Sequence, residues 1–222
     1  MNLVEQIEYG LTSLNCPALS QELQICEQIA QYLLLIEKWN KRFNLTAIRT
    51  VEDMLYQHIM DSLAVIGHLH GPIIADVGTG AGLPGIPLAI ARPDWQVIMI
   101  ESNQKKAAFL QQVKIELELA NIEVVAKRIE DTEINNQINT IISRAFASLS
   151  TFIKLTQHLI PPDNGASRWV AMKSKCAEQE LKEVSEPFYI EKVVPLIVPG
   201  LFAKRELIII RRSTKPIGSG QE

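Results

Sequence analysis

The chain is poor in cysteine and contains no long apolar run. Its three cysteines, Cys16, Cys26 and Cys176, show no C-x-x-C spacing, which disfavours a disulfide framework or a zinc site. No apolar stretch reaches the ~20 residues of a membrane span. The first ten residues contain two acids and no base, unlike a secretory signal. We therefore expect a cytoplasmic protein with reduced thiols, no membrane contact and no metal.

Excess positive charge is also missing. The net charge of -3 and the pI near 5.9 disfavour a protein that grips naked nucleic acid by charge alone, because such proteins are usually basic. Any contact with nucleic acid has to come from local groups of basic side chains. The hydrophobic content of 47% over 222 residues is ample for the core of one α/β domain with a modest extension.

The first seventy residues carry helical signals and no strand alternation. Ser20 is a plausible N-cap for an amphipathic helix that continues to about residue 39. Thr50 and Asp53 resemble a capping box that opens a further helix. Gly71-Pro72 then marks a boundary. We predict an N-terminal helical extension over residues 1–70.

Strand and helix patterns alternate from residue 73 onward, which predicts a parallel sheet. A close antiparallel pair follows at the end, because no crossover helix fits between its two strands. The sequence therefore predicts a Rossmann-like, doubly wound α/β domain over residues 71–212, followed by a disordered tail, 213–222. The predicted strands are Ile73–Val77, Gln96–Ile100, Ile122–Ala126, Thr140–Ser143, Trp169–Met172, Tyr189–Leu196 and Glu206–Arg211.

A glycine-rich loop follows the first predicted strand. Asp76 lies at the carboxyl end of this strand, and Gly78, Gly80, Gly82 and Gly85 come within the nine residues after it. Glycine accepts positive φ and lets the backbone approach a ligand where a Cβ would clash. Open α/β sheets bind their ligands at the carboxyl ends of the strands. The loop therefore predicts a site for a nucleotide-like cofactor.

The spacing inside this loop distinguishes between two cofactors. The segment Gly80–Gly85 fits G-x-G-x-x-G, and Glu101 lies about 20 residues on, so an NAD-dependent oxidoreductase stays an alternative. However, Asp76 precedes the glycines, and Pro84 stands directly before the last of them. An acid suits a cationic cofactor, and S-adenosylmethionine carries an amino group and a sulfonium. Glu101 could accept hydrogen bonds from both ribose hydroxyls.

Several longer segments make the chain resemble a known family. It resembles the bacterial small-subunit (16S) ribosomal RNA guanine-N7 methyltransferase G family, also called glucose-inhibited division protein B. The resemblance spans about residues 38–212 and implies a class I S-adenosylmethionine-dependent methyltransferase. The segments that carry it are Lys38-Trp39-Asn40, Asn44-Leu45-Thr46, His58-Ile59-Met60-Asp61-Ser62, Asp76-Val77-Gly78-Thr79-Gly80-Ala81-Gly82-Leu83-Pro84-Gly85-Ile86-Pro87 and Ile142-Ser143-Arg144-Ala145-Phe146-Ala147-Ser148-Leu149.

The resemblance also implies roles for individual residues. Gly78 and Leu83 would line the methionine and ribose side of the cofactor, and Ile129 and Glu130 would flank the adenine. Arg144 would lie between cofactor and RNA. The implied substrate is a guanine in the 530 loop of 16S ribosomal RNA, near the decoding centre, within the small subunit or an assembly intermediate.

The residues after the fourth predicted strand are compatible with methylation at guanine N7. Enzymes that methylate exocyclic amines usually carry an Asn/Asp-Pro-Pro-aromatic string at this point, where the chain reads Ser143-Arg144-Ala145-Phe146. Guanine N7 already exposes an in-plane lone pair, so it needs no general base. The protein then mainly holds base and donor in line.

Three residues are candidates for contact with the substrate. Arg144 could clamp a phosphate or stack on a base, and its alternative is a salt bridge within the fold. Phe146 could stack on a flipped-out base, although a core position is equally compatible. Lys173 could contact the RNA backbone, although a surface lysine is nearly as compatible.

For the further candidates in the extension, we favour structural roles over catalytic ones. His58 and Asp61 could touch on one helix face, and a structural hydrogen bond is favoured over acid–base catalysis because N7 transfer needs no base. Trp39 is expected to dock the extension on the sheet. A non-catalytic RNA-binding or ribosome-assembly factor with the same fold is the alternative from another functional class.

Overall fold

A computed structural model of the chain describes residues 1–14, 16–146 and 148–213. Of the predicted tail, 213–222, all residues except Ser213 lie outside the described residues. Within the described part, seven strands form one sheet. They are β1 Ile73–Val77, β2 Gln96–Ile100, β3 Ile122–Val125, β4 Thr140–Arg144, β5 Arg168–Lys173, β6 Phe188–Leu196 and β7 Arg205–Arg212.

The strand order is β3-β2-β1-β4-β5-β7-β6. Strands β1 to β5 are parallel, and β7 pairs antiparallel with both β5 and β6. This confirms the predicted doubly wound, mostly parallel sheet with an antiparallel C-terminal pair. The chain leaves β1 toward β2 and returns on the other side of β1 with β4. The crevice at the carboxyl ends of β1 and β4 is therefore the topological switch point, where such sheets bind ligands.

Helices cover both faces of the sheet and form the N-terminal extension. A π-helical turn, Leu55–Met60, joins two short helices, and 3₁₀ turns occur at Ile66–His68, Ile129–Asp131 and Gln157–Leu159. In the described ranges, no helix is long and apolar enough to cross a membrane. The helices are α1 Leu3–Ser13, α2 Pro17–Ser20, α3 Leu23–Phe43, α4 Val51–Met54, α5 Asp61–Leu63, α6 Gly85–Ala91, α7 Gln104–Glu116, α8 Leu149–Thr156 and α9 Glu178–Lys182.

The two predicted helix starts have different outcomes. Thr50 caps α4 as predicted, because its hydroxyl accepts a hydrogen bond from the Asp53 amide at 3.1 Å. The prediction for Ser20 is wrong, since the N-cap of α3 is Glu22. The backbone amide of Ser20 instead bonds to the Cys16 carbonyl. Ser20 therefore ends the separate short helix α2 and does not begin α3.

Two apolar cores lie on opposite faces of the sheet. The extension shares the first core with α6 and α7, and α8 covers the second. Side chains alternate along β1, so Ile74 enters the first core and Ala75 the second. Asp76 therefore faces the same side as Ile74, beneath α6.

Trp39 links the extension to the sheet domain. Its ring lies 5.4 Å from the ring of Phe109 on α7, in an edge-on arrangement, and Tyr32 stacks on the same Phe109 ring. These contacts support the docking interpretation of Trp39. The division of the chain at residue 70 stays a prediction, because the extension and the sheet share a core.

Candidate active site

The glycine loop turns sharply at the carboxyl end of β1. Gly78, Gly80 and Gly82 have φ values of 66°, 63° and 92°, in a region that side chains rarely adopt. At Gly82 the packing adds a second restriction, because a Cβ there would lie 2.5 Å from Ile86 Cγ1. The loop therefore keeps its backbone exposed to the crevice.

Asp76 lies fully buried beneath this loop. Its Oδ2 accepts hydrogen bonds from the Thr79 hydroxyl at 2.5 Å and the Gly85 amide at 2.8 Å. Its Oδ1 has no hydrogen-bond partner among the described residues. Burial raises the pKa of Asp76 to about 6, and the two hydrogen bonds oppose part of that rise. Asp76 thus shapes the loop through Oδ2 and leaves its Oδ1 atom unpartnered among the described residues.

Glu101 holds the loop from the side of β2. Its Oε2 accepts from the Gly80 amide at 2.9 Å, and its Oε1 accepts from the Asn103 amide at 2.7 Å. Asn103 in turn caps α7 by accepting from the amides of two following residues. The side chain of Glu101 is mostly buried, and each carboxylate oxygen retains a further lone pair. Two acids from neighbouring strands therefore flank the glycine loop.

The N-terminal extension also reaches the loop. The Tyr32 hydroxyl, on α3, donates a 2.6 Å hydrogen bond to the Ala81 carbonyl. Tyr32 is fully buried, and burial raises its pKa well above the ordinary value. This contact joins residues 49 positions apart, and no sequence signal identified it.

We expect Tyr32→Phe to destabilise the protein. The change removes the hydroxyl that donates to the Ala81 carbonyl and leaves that carbonyl with an unmet hydrogen bond, which costs about 1–2 kcal/mol. Urea unfolding measures this difference, with the exposed Tyr9, changed to Phe, as the matched control. Equal stability of the two variants would contradict a pinning role for Tyr32.

Arg144, at the end of β4, belongs to a second polar cluster. Its Nη1 donates to Asp61 Oδ2 at 3.3 Å and to the Gln57 carbonyl at 3.1 Å. Its Nη2 lies 3.3 Å from His58 Nδ1. Arg205, at the start of β7, donates from Nε to Asp61 Oδ1 at 2.9 Å. A single buried carboxylate therefore holds two arginines from different strands.

His58 and Asp61 meet through Arg144. The sequence placed them on one helix face; in the structure both contact the guanidinium from the extension. Burial and the nearby Arg144 charge lower the pKa of His58 to about 4, so its ring is neutral near pH 7. His58 Nε2 lies 2.8 Å from the Thr46 hydroxyl, and Asn40 accepts from the Thr46 amide. The geometry fits a structural network that orients Arg144.

A cavity of about 330 Å³ lies beside this cluster, with both arginines and Lys173 in its wall. Lys173, at the end of β5, bonds through Nζ to Glu180 Oε1 at 2.7 Å. The sequence analysis did not identify Asp61 and Arg205 as partners, since they are 144 positions apart. Most of the residues in its wall are polar or charged, and the cavity lies at the carboxyl ends of β4 and β5, next to the switch point of the sheet.

The other predicted site residues occupy different surroundings. The half-buried Phe146 packs its ring on Phe152, 5.7 Å away, and lies 3.3 Å from the position of a Cβ at Gly78. It therefore separates the glycine loop from the second core. Leu83 and Ile129 are mostly buried, and Glu130 is exposed. Among the described residues, no three His, Cys, Asp or Glu side chains group as a metal site.

Comparison with known sequences gives a consistent result. Residues 25–209 match the family described as rRNA small subunit methyltransferase G. A ribosomal RNA small subunit methyltransferase G of Nitrosomonas europaea is 47% identical, over 95% of this chain and 98% of the relative. One of Legionella pneumophila strain Corby is 42% identical, over 94% of this chain and 95% of the relative.

Solved structures resemble this fold at low sequence identity. The magnesium protoporphyrin IX methyltransferase of Synechocystis PCC 6803, solved with bound SAM, has a TM-score of 0.56 at 15% identity and covers 82% of this chain and 97% of its own. A SAM-dependent methyltransferase from Aquifex aeolicus has a TM-score of 0.53 at 14% identity, with coverages of 72% and 93%. These likenesses show the shared Rossmann-like fold.

Proposed function

The chain belongs to the rRNA small subunit methyltransferase G family, and we propose that it transfers a methyl group from S-adenosylmethionine to N7 of a guanine in the 530 loop of 16S ribosomal RNA. The observation that carries this proposal is the pairing of two sites across the switch point. A glycine loop flanked by two acids lies on one side, and an arginine-lined cavity lies on the other.

The acids that flank the glycine loop support the donor side of the proposal. Bound S-adenosylmethionine supplies a methyl group activated on a sulfonium. Asp76 offers its unpartnered Oδ1 to the cationic part of the cofactor, and Glu101 offers its free lone pairs to the ribose hydroxyls. Gly78, Gly80 and Gly82 let the backbone approach the cofactor closely.

Three further residues complete the proposed donor site. Leu83 lines the methionine and ribose side together with Gly78, and Ile129 and Glu130 flank the adenine. Leu83 and Ile129 are mostly buried, as expected for apolar walls, while Glu130, which follows Ile129 in the chain, is exposed. Ile129 and Glu130 belong to a 3₁₀ turn that follows β3.

Arg144 carries the acceptor side. It lies in the wall of the cavity and is the residue we propose to hold the guanine or its phosphate; a guanidinium fork suits both. Phe146, which contacts Gly78, is proposed to pack against the target base, and Lys173 to add positive potential for the RNA backbone. With its pKa lowered to about 4, His58 is a weak base, which suits N7 because the lone pair of N7 is available without deprotonation.

We expect Arg144→Ala to lower methyl transfer far more than donor binding. Loss of the positioning fork should reduce kcat/KM about a hundredfold, whereas the dissociation constant for S-adenosylhomocysteine should change less than about threefold. Calorimetry and a methyl-transfer assay measure the two quantities. The half-buried Arg92, which also pairs with an aspartate, Asp94, provides the matched control as Arg92→Ala. Equal losses of donor binding and methyl transfer would indicate that Arg144 belongs to the donor site.

A radiolabel assay tests the proposed function as a whole. The protein is incubated with tritiated S-adenosylmethionine and small ribosomal subunits from cells that lack the modification. We expect label in 16S ribosomal RNA, and we propose that the subunit or an assembly intermediate in the cytoplasm is the natural substrate. Tight donor binding without label in RNA would support the non-catalytic alternative, and binding of NADH in its place would support the oxidoreductase.

A further inference from the structure

The loop between β6 and β7 is fixed to the body of the protein. Val198 is buried, and Leu201 packs against the first core. Gly200 has a φ of 71° and lies so close to Tyr56 of the π-helical turn that a Cβ there would lie 2.6 Å from the ring. The Leu201 amide also bonds to the Val198 carbonyl at 3.1 Å. The loop is therefore held in place on the N-terminal extension.

Two large apolar side chains of this fixed loop face solvent. Phe202 is fully exposed and Ile197 is 90% exposed, the two highest values for a large apolar residue in the described part of the chain. Single exposed apolar residues are common. Two on one anchored loop, whose Val198 is buried and whose Leu201 is half-buried, indicate a surface that a partner covers.

The position and charge of the loop indicate which partner. Lys204 is exposed and follows Phe202 closely. Arg205 comes next, and its guanidinium shares Asp61 with Arg144 in the wall of the proposed acceptor cavity. Exposed aromatic rings next to cations are typical of sites that bind unpaired RNA, because rings stack on bases and cations contact phosphates. The adjoining cationic cavity complements the phosphates of RNA, which favours RNA over a protein as the partner.

We infer that the loop over residues 197–204 is an RNA-contact surface and that Phe202 stacks on an unpaired base beside the target guanine. This inference rests on the proposed function. The loop would hold the RNA near the cavity while Arg144 positions the target. Phe202 then contributes to RNA binding and makes no contact with the donor, so its loss separates the two affinities.

Variants at Phe202 test the inference by two measurements. In a binding assay with unmodified small subunits, and in methyl transfer, we expect Phe202→Ala and Phe202→Leu to raise the Kd and the KM for the subunit about tenfold. Both should leave kcat and S-adenosylhomocysteine binding unchanged. Phe202→Trp restores the stacking face and should restore wild-type values. The exposed Tyr9, changed to Ala, is the control for loss of a surface aromatic elsewhere.

Each outcome decides for or against the stacking contact. Wild-type affinity in Phe202→Ala overturns the inference. Weaker subunit binding by Phe202→Ala together with wild-type binding by Phe202→Leu also overturns it. Any apolar side chain would then suffice, as in a contact with a ribosomal protein. If the wild-type protein binds subunits but transfers no methyl group, the proposed function fails. The Kd values of the Phe202 variants relative to the wild type still test the stacking contact. Absence of subunit binding by the wild type overturns both.

Discussion

Asp76→Asn should weaken binding of S-adenosylmethionine roughly 30-fold to 150-fold without unfolding the protein. The substitution keeps the shape and an acceptor for the Gly85 amide, but it removes the negative charge that we propose attracts the cationic donor. A charge-assisted hydrogen bond of this kind is worth about 2–3 kcal/mol. Calorimetry measures the affinity, with the exposed Asp94, changed to Asn, as the control. Unchanged affinity would remove Asp76 from the donor site.

The dependence of this affinity on pH follows from the same carboxyl group. Burial raises the pKa of Asp76 to about 6, above its ordinary value. In the free protein, Asp76 therefore contributes most to stability below about pH 4, and that contribution is lost as pH rises through about 6. Donor binding has the opposite sign because it needs the ionised form. The affinity for S-adenosylmethionine should fall as pH drops below about 6, and Asp76→Asn should abolish this dependence. The same substitution should not lower the melting temperature near pH 7.

Asp61→Ala should impair methyl transfer about a hundredfold or more while donor binding stays near that of the wild type. The buried Asp61 carboxylate is the shared partner of Arg144 and Arg205, so its removal leaves two half-buried cations without a counter-charge. Breaking such a pair also destabilises the fold, by about 2–3 kcal/mol after allowance for the partial exposure of the arginines. Arg144 then loses the orientation that the acceptor site requires.

Two controls separate positioning by Asp61 from simple stability. Asp61→Glu keeps the charge and should recover part of the transfer rate. The exposed Glu52, changed to Ala, tests the loss of a carboxylate elsewhere in the extension. Assays are run well below each variant's unfolding temperature. If Asp61→Ala is less stable but transfers methyl groups at the wild-type kcat and KM, Asp61 has a structural role alone.

The sheet was predictable because its strands are local patterns. Ile73–Val77 and Gln96–Ile100 occupy the predicted residues, since short β-branched runs between turn signals are characteristic of buried parallel strands. Asp76 and Glu101 follow from the same patterns, as each is an acid at a strand's carboxyl end. The positive φ values in the loop were also predictable, because closely spaced glycines are typical of a backbone in that conformation.

The supports of the site were not predictable in this way. Tyr32 bonds to the Ala81 carbonyl across 49 positions, and Asp61 meets Arg205 across 144. Neither pair has a spacing that helical or strand periodicity can reveal, because the contacts arise only when the extension packs on the sheet. Ser20 shows the complementary error: a good capping residue was assigned to the wrong helix because the short helix α2 has no periodic signal of its own.

Mapping the methylated atom tests the central claim most directly. Small subunits that lack the modification are treated with the protein and S-adenosylmethionine, and their 16S ribosomal RNA is reduced and cleaved with aniline, which breaks the chain at N7-methylated guanines. We predict cleavage at a single guanine in the 530 loop, absent without the protein and reduced when Asp76→Asn replaces the wild type at limiting S-adenosylmethionine. Methyl incorporation without such cleavage, or cleavage at another part of the RNA, would contradict the account.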